Sequence, residues 1–399
     1  MKLAQVYIQD LQSFTNFQLD LTYPEGHPRA GKAMDRICFT GRNGAGKSNL
    51  MQLIVDYLRS LMRYKSKTLV MVKIEVGDRL IYGVHVNNTV LFFRDQIDEE
   101  PMWMVDLLRD QAFTMAFNRK YEQYCIGFEE DPELFDILWM DNNTGDLLLH
   151  QPADFARDFT LKLTDSPQTK GHEADSLVHS FPFYNELSPE RASEFWALLI
   201  YRIAKRGRDW NDYVAAPEQK GKPIATLEKL FDAAHPPILP RLEALWKPFL
   251  DPLGLELALD QAELPSHYRE RLSLGLRRKR DGAKAEYGQL GTGLRHLLFR
   301  LGHALALYDG KPARNSFVFL ENPEAGLHPS LQDGLIARYA EICAGSQLFA
   351  CTHSAAIAAQ FAPEERIILT RDHRGQVEAS RGKVAPGGSL EDLAGQDMG

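Results

Sequence analysis

The sequence predicts an α/β fold, with a mixed sheet, an antiparallel N-terminal subdomain and a helical insertion lobe. Three observations predict this class. Short runs of alternating apolar residues lie near the N-terminus, a strand and a helix flank a glycine-rich stretch at Gly41–Asn49, and helices alternate with strands between residues 292 and 369. The last pattern is typical of a parallel sheet covered by helices.

The composition is that of an ordinary folded protein. Of 399 residues, 44% are apolar and 25% charged, and the net charge of −8 argues against a protein that coats nucleic acid uniformly. Four cysteines without C-x-x-C spacing predict reduced thiols and a cytoplasmic location. No apolar run approaches the roughly 18 residues that span a bilayer, and the polar N-terminus is not that of a signal peptide, so we expect no membrane contact.

The first region, residues 1–98, is predicted to hold antiparallel strands around the glycine-rich stretch. Alternating apolar residues predict a hairpin within residues 2–22, and apolar periodicity after the stretch predicts a helix over residues 49–62. Three more strand-like runs, separated by turn-forming Gly-Asp and Asn-Asn pairs, predict a meander. These runs are residues 68–76, 79–86 and 89–94.

Residues 99–264 contain many aromatic residues and prolines and predict a mainly helical insertion or lid. Its helices are predicted at residues 189–208, 224–234 and 240–250. Alternating strands and helices resume in residues 265–382 and complete the core of the fold. Residues 383–399 are rich in Gly, Pro and Asp and predict a weakly structured tail.

The most specific motif is Gly41–Ser48, which matches the phosphate-binding pattern G-x-x-x-x-G-K-[ST] at every fixed position. Its glycines let consecutive backbone N–H groups face one anion, Lys47 can reach the β- and γ-phosphates of a nucleotide, and the Ser48 hydroxyl can hold Mg²⁺. A glycine-rich turn that merely contains a lysine is the alternative. The residues expected to contact nucleotide are Gly41, Asn43, Gly44, Gly46, Lys47, Ser48 and Asn49.

Two polar groups follow core strands further along the chain. Glu321 ends the apolar run Phe317–Leu320, and because ligands of such sheets bind at the carboxyl ends of the strands, we expect Glu321 to hold hydrated Mg²⁺ opposite Ser48. His353 follows the next core strand, where an imidazole can donate a hydrogen bond near the γ-phosphate. The alternatives are a chance acid after an apolar run and a histidine with a structural hydrogen bond.

A further candidate is the glycine-containing turn Leu290-Gly291-Thr292-Gly293, which leads into a predicted helix. The N-terminus of a helix favours an anion, so this stretch is a candidate phosphate contact. A plain connection between a strand and a helix is the alternative.

Taken in their order along the chain, these motifs resemble the ABC-type ATPase heads of the SMC and double-strand-break-repair kind. They most closely resemble the small bacterial AAA ATPases related to the overcoming-lysogenisation-defect (OLD) family. The resemblance implies an ABC-type P-loop NTPase head in which Gly41–Ser48 is the Walker A motif and Leu290–Leu294 stands at the signature. Glu321 is then the Walker B acid and His353 the switch histidine.

The same resemblance implies ligands and partners. ATP and Mg²⁺ are the expected ligands, and two heads are expected to sandwich two ATP molecules in a homodimer or a larger homo-oligomer. The signature of one head is then expected to touch the γ-phosphate bound by the other. A nuclease or toxin effector encoded nearby, in bacterial anti-phage defence or DNA maintenance, is the expected partner protein.

The residue after the Walker B acid departs from the pattern. ABC-type ATPases usually have a glutamate there that activates water, whereas this chain has Asn322, and an amide positions water but does not accept its proton. We therefore expect a slow ATPase in which Glu324 assists as the base. The alternatives are a nucleotide-gated scaffold or sensor with little hydrolysis, and an SMC-like DNA-binding ATPase.

The only dense basic run is Arg277-Arg278-Lys279-Arg280, beside the turn-forming pair Asp281-Gly282. A solvated hairpin tip is the default interpretation of such a run. A contact with DNA or with a partner protein is the alternative.

Overall fold

The computed structural model describes residues 2–60, 70–76, 79–86, 89–94, 136–141, 184–186, 192–263, 273–285, 289–309, 316–383 and 389–397. The strands in this part are β1 (Lys2–Leu11), β2 (Phe14–Asp20), β3 (Arg36–Thr40), β4 (Val70–Val76), β5 (Arg79–Val86), β6 (Thr89–Arg94), β7 (Asp136–Asp141), β8 (Tyr184–Glu186), β9 (Leu255–Glu263), β10 (Ser273–Arg278), β11 (Lys284–Ala285), β12 (Ser316–Glu321), β13 (Gln347–Cys351), β14 (Arg366–Arg371) and β15 (Val377–Arg381). The α-helices are α1 (Lys47–Ser60), α2 (Ala192–Ala215), α3 (Ile224–Ala234), α4 (Ile238–Leu250), α5 (Thr292–Tyr308), α6 (Leu335–Ile342), α7 (Ala355–Ala358) and α8 (Leu390–Asp392). Among these helices, none is both long and apolar enough to cross a membrane.

The first sheet is antiparallel and comes from the N-terminal region. Its five strands lie in the order β2-β1-β4-β5-β6, and every neighbouring pair is antiparallel. Phe17 and Leu19 of β2 are both buried, because alternate residues of a strand face the same side. The predicted hairpin and meander are therefore confirmed.

The central sheet has seven strands in the order β15-β14-β3-β13-β12-β7-β8, and only β15 runs antiparallel to its neighbour. The strands β3, β13 and β12 lie side by side at its centre. In β12, all of Phe317–Leu320 are fully buried, as expected for a strand covered on both faces. The sheet is mixed, as predicted, and the carboxyl ends of its central strands meet at one edge.

Two hydrophobic clusters cover the two faces of the central sheet. One contains Phe317 and Phe319 of β12 together with Leu50 of α1 and residues of β1 and β2. The other contains Val318 and Leu320 of the same strand together with residues of α2, α4 and α5. Alternate side chains of β12 therefore enter opposite clusters, and helices cover both faces.

Residues 99–264, predicted as a mainly helical insertion, also contribute to this core. The strands β7 and β8 extend the central sheet beyond β12, which the prediction did not include. The clearest sequence signal for β7 is the short apolar run Ile137–Met140 between two aspartates. The helix α2 packs on α5, where a Cβ atom on Gly302 would lie 2.9 Å from Cζ of Phe195. It extends past the predicted end at residue 208 to Ala215.

The third sheet has three strands in the order β11-β10-β9. The strands β10 and β11 form an antiparallel hairpin, and Gly282 in its turn has φ of +68°. The turn predicted at Asp281-Gly282 is therefore confirmed.

The C-terminal segment corrects a prediction. Residues 389–397, expected to be weakly structured, form α8 and a π-helical turn that ends at Asp397. Asp397 is completely buried, and its Oδ2 atom lies 2.9 Å from Nε of Arg366 at the start of β14. Its Oδ1 atom accepts a hydrogen bond from the backbone N–H of Lys383 at 2.9 Å. A buried ion pair thus fastens this segment, and local composition does not reveal such a long-range contact.

Removing one partner of the Arg366–Asp397 pair should destabilise the fold. Asp397→Ala deprives a buried guanidinium of its carboxylate, and loss of one partner of a buried pair costs about 3 kcal/mol of unfolding free energy. The double variant with Arg366→Met and Asp397→Leu replaces both charges by apolar side chains and should recover most of that loss. Urea unfolding measures both effects, and a single variant as stable as the parent would contradict the pairing.

Candidate nucleotide-binding site

The phosphate loop connects β3 to α1 and is shaped by three glycines. Gly41, Gly44 and Gly46 have φ of +128°, +77° and +104°, values that favour glycine because it has no Cβ atom. Gly41 also passes so close to β14 that a Cβ atom there would lie 2.2 Å from the carbonyl oxygen of Leu369. The loop is therefore curled as its pattern predicts, and it rests on the neighbouring strand.

Lys47 is the first residue of α1 and is only 3% exposed. Its ammonium donates hydrogen bonds to the carbonyl oxygens of Gly41 (2.6 Å) and Arg42 (3.0 Å), so the side chain folds over the loop. Burial lowers the pKa of this ammonium. Asn43, within the motif, and Asn49, directly after it, are exposed. A buried cation, a helix N-terminus and a curled backbone thus lie together, which is an arrangement that binds phosphate.

Ser48 and Glu321 are both neighbours of Cys351 at the carboxyl edge of the central sheet. The Ser48 hydroxyl is 3.9 Å from the Cys351 sulfur, and Glu321, the last residue of β12, pairs with Cys351 in the parallel register. Burial raises the pKa of this thiol to about 12, so it stays neutral. A hydroxyl and a carboxylate are oxygen ligands that suit Mg²⁺. The arrangement therefore fits the predicted metal site, and the motif analysis did not include the Cys351 side chain beside Ser48.

Glu324 joins the loop after β12 to the loop after β13. Its Oε1 atom accepts hydrogen bonds from Oγ1 of Thr352 (2.7 Å) and from the backbone N–H of His353 (2.8 Å). Its Oε2 atom is buried and has no hydrogen-bond partner among the residues that the structure describes. Burial, the largest influence, lowers the pKa of Lys47, and the negative charge of Glu324 raises it. Glu324 therefore lies within electrostatic reach of the phosphate loop.

Asn322 follows Glu321 in a left-handed backbone conformation, with φ of +45°. Asparagine tolerates this conformation better than other residues that have a Cβ atom. Its N–H donates to the carbonyl oxygen of Cys351 at 2.8 Å, and its buried Oδ1 atom has no hydrogen-bond partner in the described part of the chain. Backbone geometry thus accounts for an asparagine here, and its amide oxygen can accept a hydrogen bond from water.

His353 is exposed at the same edge of the sheet. Partial desolvation lowers the pKa of its imidazole below the usual 6.5, the charge of Lys47 lowers it further, and the charge of Glu324 acts in the opposite direction. The ring is therefore neutral at pH 7 and has one N–H to donate. A neutral ring can therefore still donate one hydrogen bond to phosphate.

The stretch Leu290–Gly293 packs directly on the loop after β12. The helix α5 begins at Thr292, whose hydroxyl accepts a hydrogen bond from Nη2 of Arg295 at 3.2 Å. A Cβ atom on Gly293 would lie only 1.9 Å from the carbonyl oxygen of Gly326. The contact is therefore one of backbone on backbone, and it brings the predicted signature against the loop that follows Glu321 in the same chain.

The basic run at the β10–β11 hairpin lies among acidic side chains. Three of its four residues form ion pairs with nearby carboxylates, which offset their charge locally. This geometry favours a solvated hairpin tip over a basic surface. The pairs are Arg277–Glu256 (2.5 Å), Arg278–Asp281 (3.2 Å) and Lys279–Asp251 (2.6 Å).

The fold and the site define a nucleotide-binding protein of the phosphate-loop class, in which a glycine-shaped loop precedes a helix and acids stand at the adjacent strand end. The family model described as an AAA ATPase domain matches residues 1–358. The chain therefore belongs to the AAA ATPase domain family, and the resemblance to AAA ATPases is confirmed. Membership implies ATP hydrolysis as the general activity, with a nucleotide and usually Mg²⁺ as ligands.

The chain is also similar to solved structures of SMC heads. An SMC head bound to the C-winged helix domain of ScpA is 14% identical, with a TM-score of 0.48, over 96% of this chain and 99% of that chain. The SMC head domain from Thermotoga maritima is 11% identical, with a TM-score of 0.42, over 96% and 100%. An Smc head with an extended coiled coil, bound to the C-terminal domain of ScpA derived from Pyrococcus furiosus, is 13% identical, with a TM-score of 0.43, over 95% and 96%. No curated protein matches the chain.

Alanine should be far more disruptive at Gly41 than at Gly44. Both positions have a positive φ, but nothing in the described segments lies within 4 Å of a Cβ atom on Gly44, whereas one on Gly41 meets the backbone of Leu369. We expect Gly44→Ala to lower the unfolding free energy by about 1 kcal/mol. Gly41→Ala should lower it by about 3 kcal/mol or more and abolish nucleotide binding. Urea unfolding and titration with a fluorescent ATP analogue measure these effects, and equal losses would refute the close packing.

The left-handed backbone at residue 322 predicts an unusual order of tolerated substitutions. Asn322→Gly should leave stability nearly unchanged, because glycine adopts a positive φ without strain. Asn322→Glu should cost about 1 kcal/mol, because a longer side chain strains that conformation. Thermal unfolding of the two variants checks the order, and a stabilising Asn322→Glu would contradict the assigned backbone.

Proposed function

We propose that this protein hydrolyses Mg²⁺-ATP slowly, with Gly41–Ser48 binding the phosphates and Glu324, in place of Asn322, accepting the proton of the attacking water. The observation that carries the proposal is the environment of the Glu324 carboxylate. One oxygen is held by Thr352 and His353, and the other is buried with no hydrogen-bond partner within the described residues. A buried carboxylate oxygen without a donor is costly, and such groups concentrate at functional sites.

Each group at the edge of the sheet has a part in the proposed step. The water oxygen attacks the γ-phosphorus, the bond from that phosphorus to the β,γ-bridging oxygen breaks, and the water proton passes to Glu324. Lys47 offsets the charge that develops on the phosphates, and neutral His353 donates a hydrogen bond to them. Asn322 orients the water, because its amide oxygen accepts a hydrogen bond but cannot take a proton. Ser48 and Glu321 would hold Mg²⁺, which would supply charge that neutralises the phosphates when bound.

The proposal extends to assembly through the stretch Leu290–Gly293. A helix N-terminus with the Thr292 hydroxyl attracts phosphate, and the contact with Gly326 joins the stretch to the loop of the candidate base. Together with the motif resemblance, this supports a homodimer or larger homo-oligomer that forms around ATP in the cytoplasm. In the proposed role, the assembly transmits the nucleotide state to a nuclease or toxin effector in anti-phage defence or DNA maintenance.

An SMC-like DNA-binding ATPase has less support than this proposal. The net charge of the chain is −8, and three residues of the basic run Arg277–Arg280 are paired with carboxylates. We therefore propose no contribution of DNA to the hydrolytic step.

Two variants separate binding from hydrolysis. Lys47→Ala should abolish nucleotide binding and turnover together, because it removes the cation of the phosphate loop. Glu324→Gln keeps an oxygen that accepts both hydrogen bonds from Thr352 and His353 but removes the proton acceptor. It should leave binding intact and lower turnover about 100-fold. Phosphate release and titration with a fluorescent ATP analogue measure the two properties.

The exposed acid Glu341 provides the matched control, since Glu341→Gln makes the same chemical change at the end of α6, which leads to the opposite edge of the central sheet. Undiminished turnover in Glu324→Gln would overturn its role as base. A parent that binds ATP without releasing phosphate is a nucleotide-gated sensor instead. Solution mass with and without ATP tests the assembly, and an unchanged mass would contradict nucleotide-dependent dimerisation.

A further inference from the structure

A buried glutamine outside the phosphate loop, Gln332, connects the two loops of the site. It is 8% exposed and follows the 3₁₀ turn Pro329–Leu331. Its Nε2 atom donates to the carbonyl oxygen of Leu327 at 3.2 Å, and its Oε1 atom accepts from the Ser354 hydroxyl at 2.5 Å. Its own carbonyl oxygen accepts from Nε2 of Gln360 at 2.7 Å. One side chain thus spans from the loop after β12 to the loop after β13.

Together with Glu324, this glutamine fixes all three residues of Thr352–Ser354, the switch tripeptide, which contains the predicted switch histidine. Glu324 bonds to the hydroxyl of Thr352 and the backbone N–H of His353, and Gln332 bonds to the hydroxyl of Ser354. The tripeptide is also closed on itself, since the N–H of Ser354 donates to Oγ1 of Thr352 at 2.9 Å. The backbone of His353 is therefore held on both sides by residues of the loop after β12.

The Ser354 hydroxyl has a second contact, which begins α7. It accepts a hydrogen bond from the N–H of Ile357 at 3.4 Å as the N-cap of that helix. Loss of the Gln332 side-chain amide therefore removes an acceptor from a part-buried hydroxyl and a donor from the Leu327 carbonyl. The whole loop from residue 352 to residue 354 can then shift relative to Glu324, because one of its two anchors is gone.

We infer that Gln332 is a positioning residue for hydrolysis, which holds Ser354 and, through it, His353 in place beside Glu324. This inference rests on the proposed function, since it assigns Gln332 a part in the same hydrolytic step. The other end of the amide holds Leu327, the neighbour of Gly326, on which the stretch around Gly293 packs. Displacement of that stretch is therefore transmitted to the switch tripeptide through Gln332.

The test replaces Gln332 by methionine, which has a similar length and no amide. Gln332→Met should lower kcat about tenfold and leave the KM for ATP within about twofold, because the phosphate loop is untouched. Ser354→Ala removes the other side of the same hydrogen bond and should lower kcat by a similar factor. If Gln332→Met folds poorly, the kcat of Ser354→Ala still tests the role of this hydrogen bond. Ser354→Thr retains a hydroxyl and should restore most of the rate.

A matched control is Gln347→Met, at the opposite end of β13. Gln347 is also a buried glutamine, and its side chain makes three hydrogen bonds, to the N–H and carbonyl oxygen of Leu3 and to the carbonyl oxygen of Met34. Its replacement should lower stability without lowering kcat at a temperature where the variant is folded. Amide hydrogen exchange of residues 352–358 should be faster in Gln332→Met than in Gln347→Met.

A double-mutant cycle with His353→Ala distinguishes positioning from a general structural effect. If Gln332 acts through His353, adding Gln332→Met to His353→Ala should change kcat less than about twofold. Full additivity, or an equal loss of kcat in Gln347→Met, would overturn the inference. A parent without turnover contradicts the proposed function itself, and the inference falls with it. A parent with turnover and an unaffected Gln332→Met contradicts the inference alone.

Discussion

Parallel pairing of β3, β13 and β12 is the constraint on which the candidate site depends. The register sets Phe39 beside Cys351 and Cys351 beside Glu321, so that the loops after all three strands leave the sheet at one edge. These strands are buried on both faces, and their positions are therefore fixed by the packing of two hydrophobic clusters. The phosphate loop, Glu321 and the tripeptide Thr352–Ser354 meet because this register brings the ends of the three strands together.

Buried polar groups at this edge satisfy one another across strand ends. Glu324 and Gln332, both from the loop after β12, hold the loop after β13 through side-chain hydrogen bonds. A buried polar group is costly unless it is bonded, so each loop specifies the conformation of the other. Among the buried polar atoms of the described residues that have no hydrogen-bond partner are Oε2 of Glu324 and Oδ1 of Asn322, which belong to the two residues that we propose to contact the attacking water.

Much of the fold and part of the site follow from local sequence. The phosphate loop is predictable because Gly41, Gly44 and Gly46 must adopt a positive φ, and β12 because Phe317–Leu320 forms an apolar run. The contributions that sequence reasoning missed depend on partners far along the chain. These are the strands β7 and β8 in the central sheet, the Arg366–Asp397 pair, the Cys351 thiol beside Ser48 and the amide bridge of Gln332. Periodicity and composition describe neighbours in sequence and contain no information about such pairings.

Gly41 packs on β14, a strand that lies beyond the residues that the family model matches. The AAA ATPase domain match ends at residue 358, yet the carbonyl oxygen that faces Gly41 belongs to Leu369, and Asp397 anchors the first residue of that strand. A chain cut at residue 358 would keep every motif residue of the phosphate loop and lose the surface that gives the loop its shape. The conformation of the phosphate loop in this protein therefore depends on residues beyond those that the family model matches.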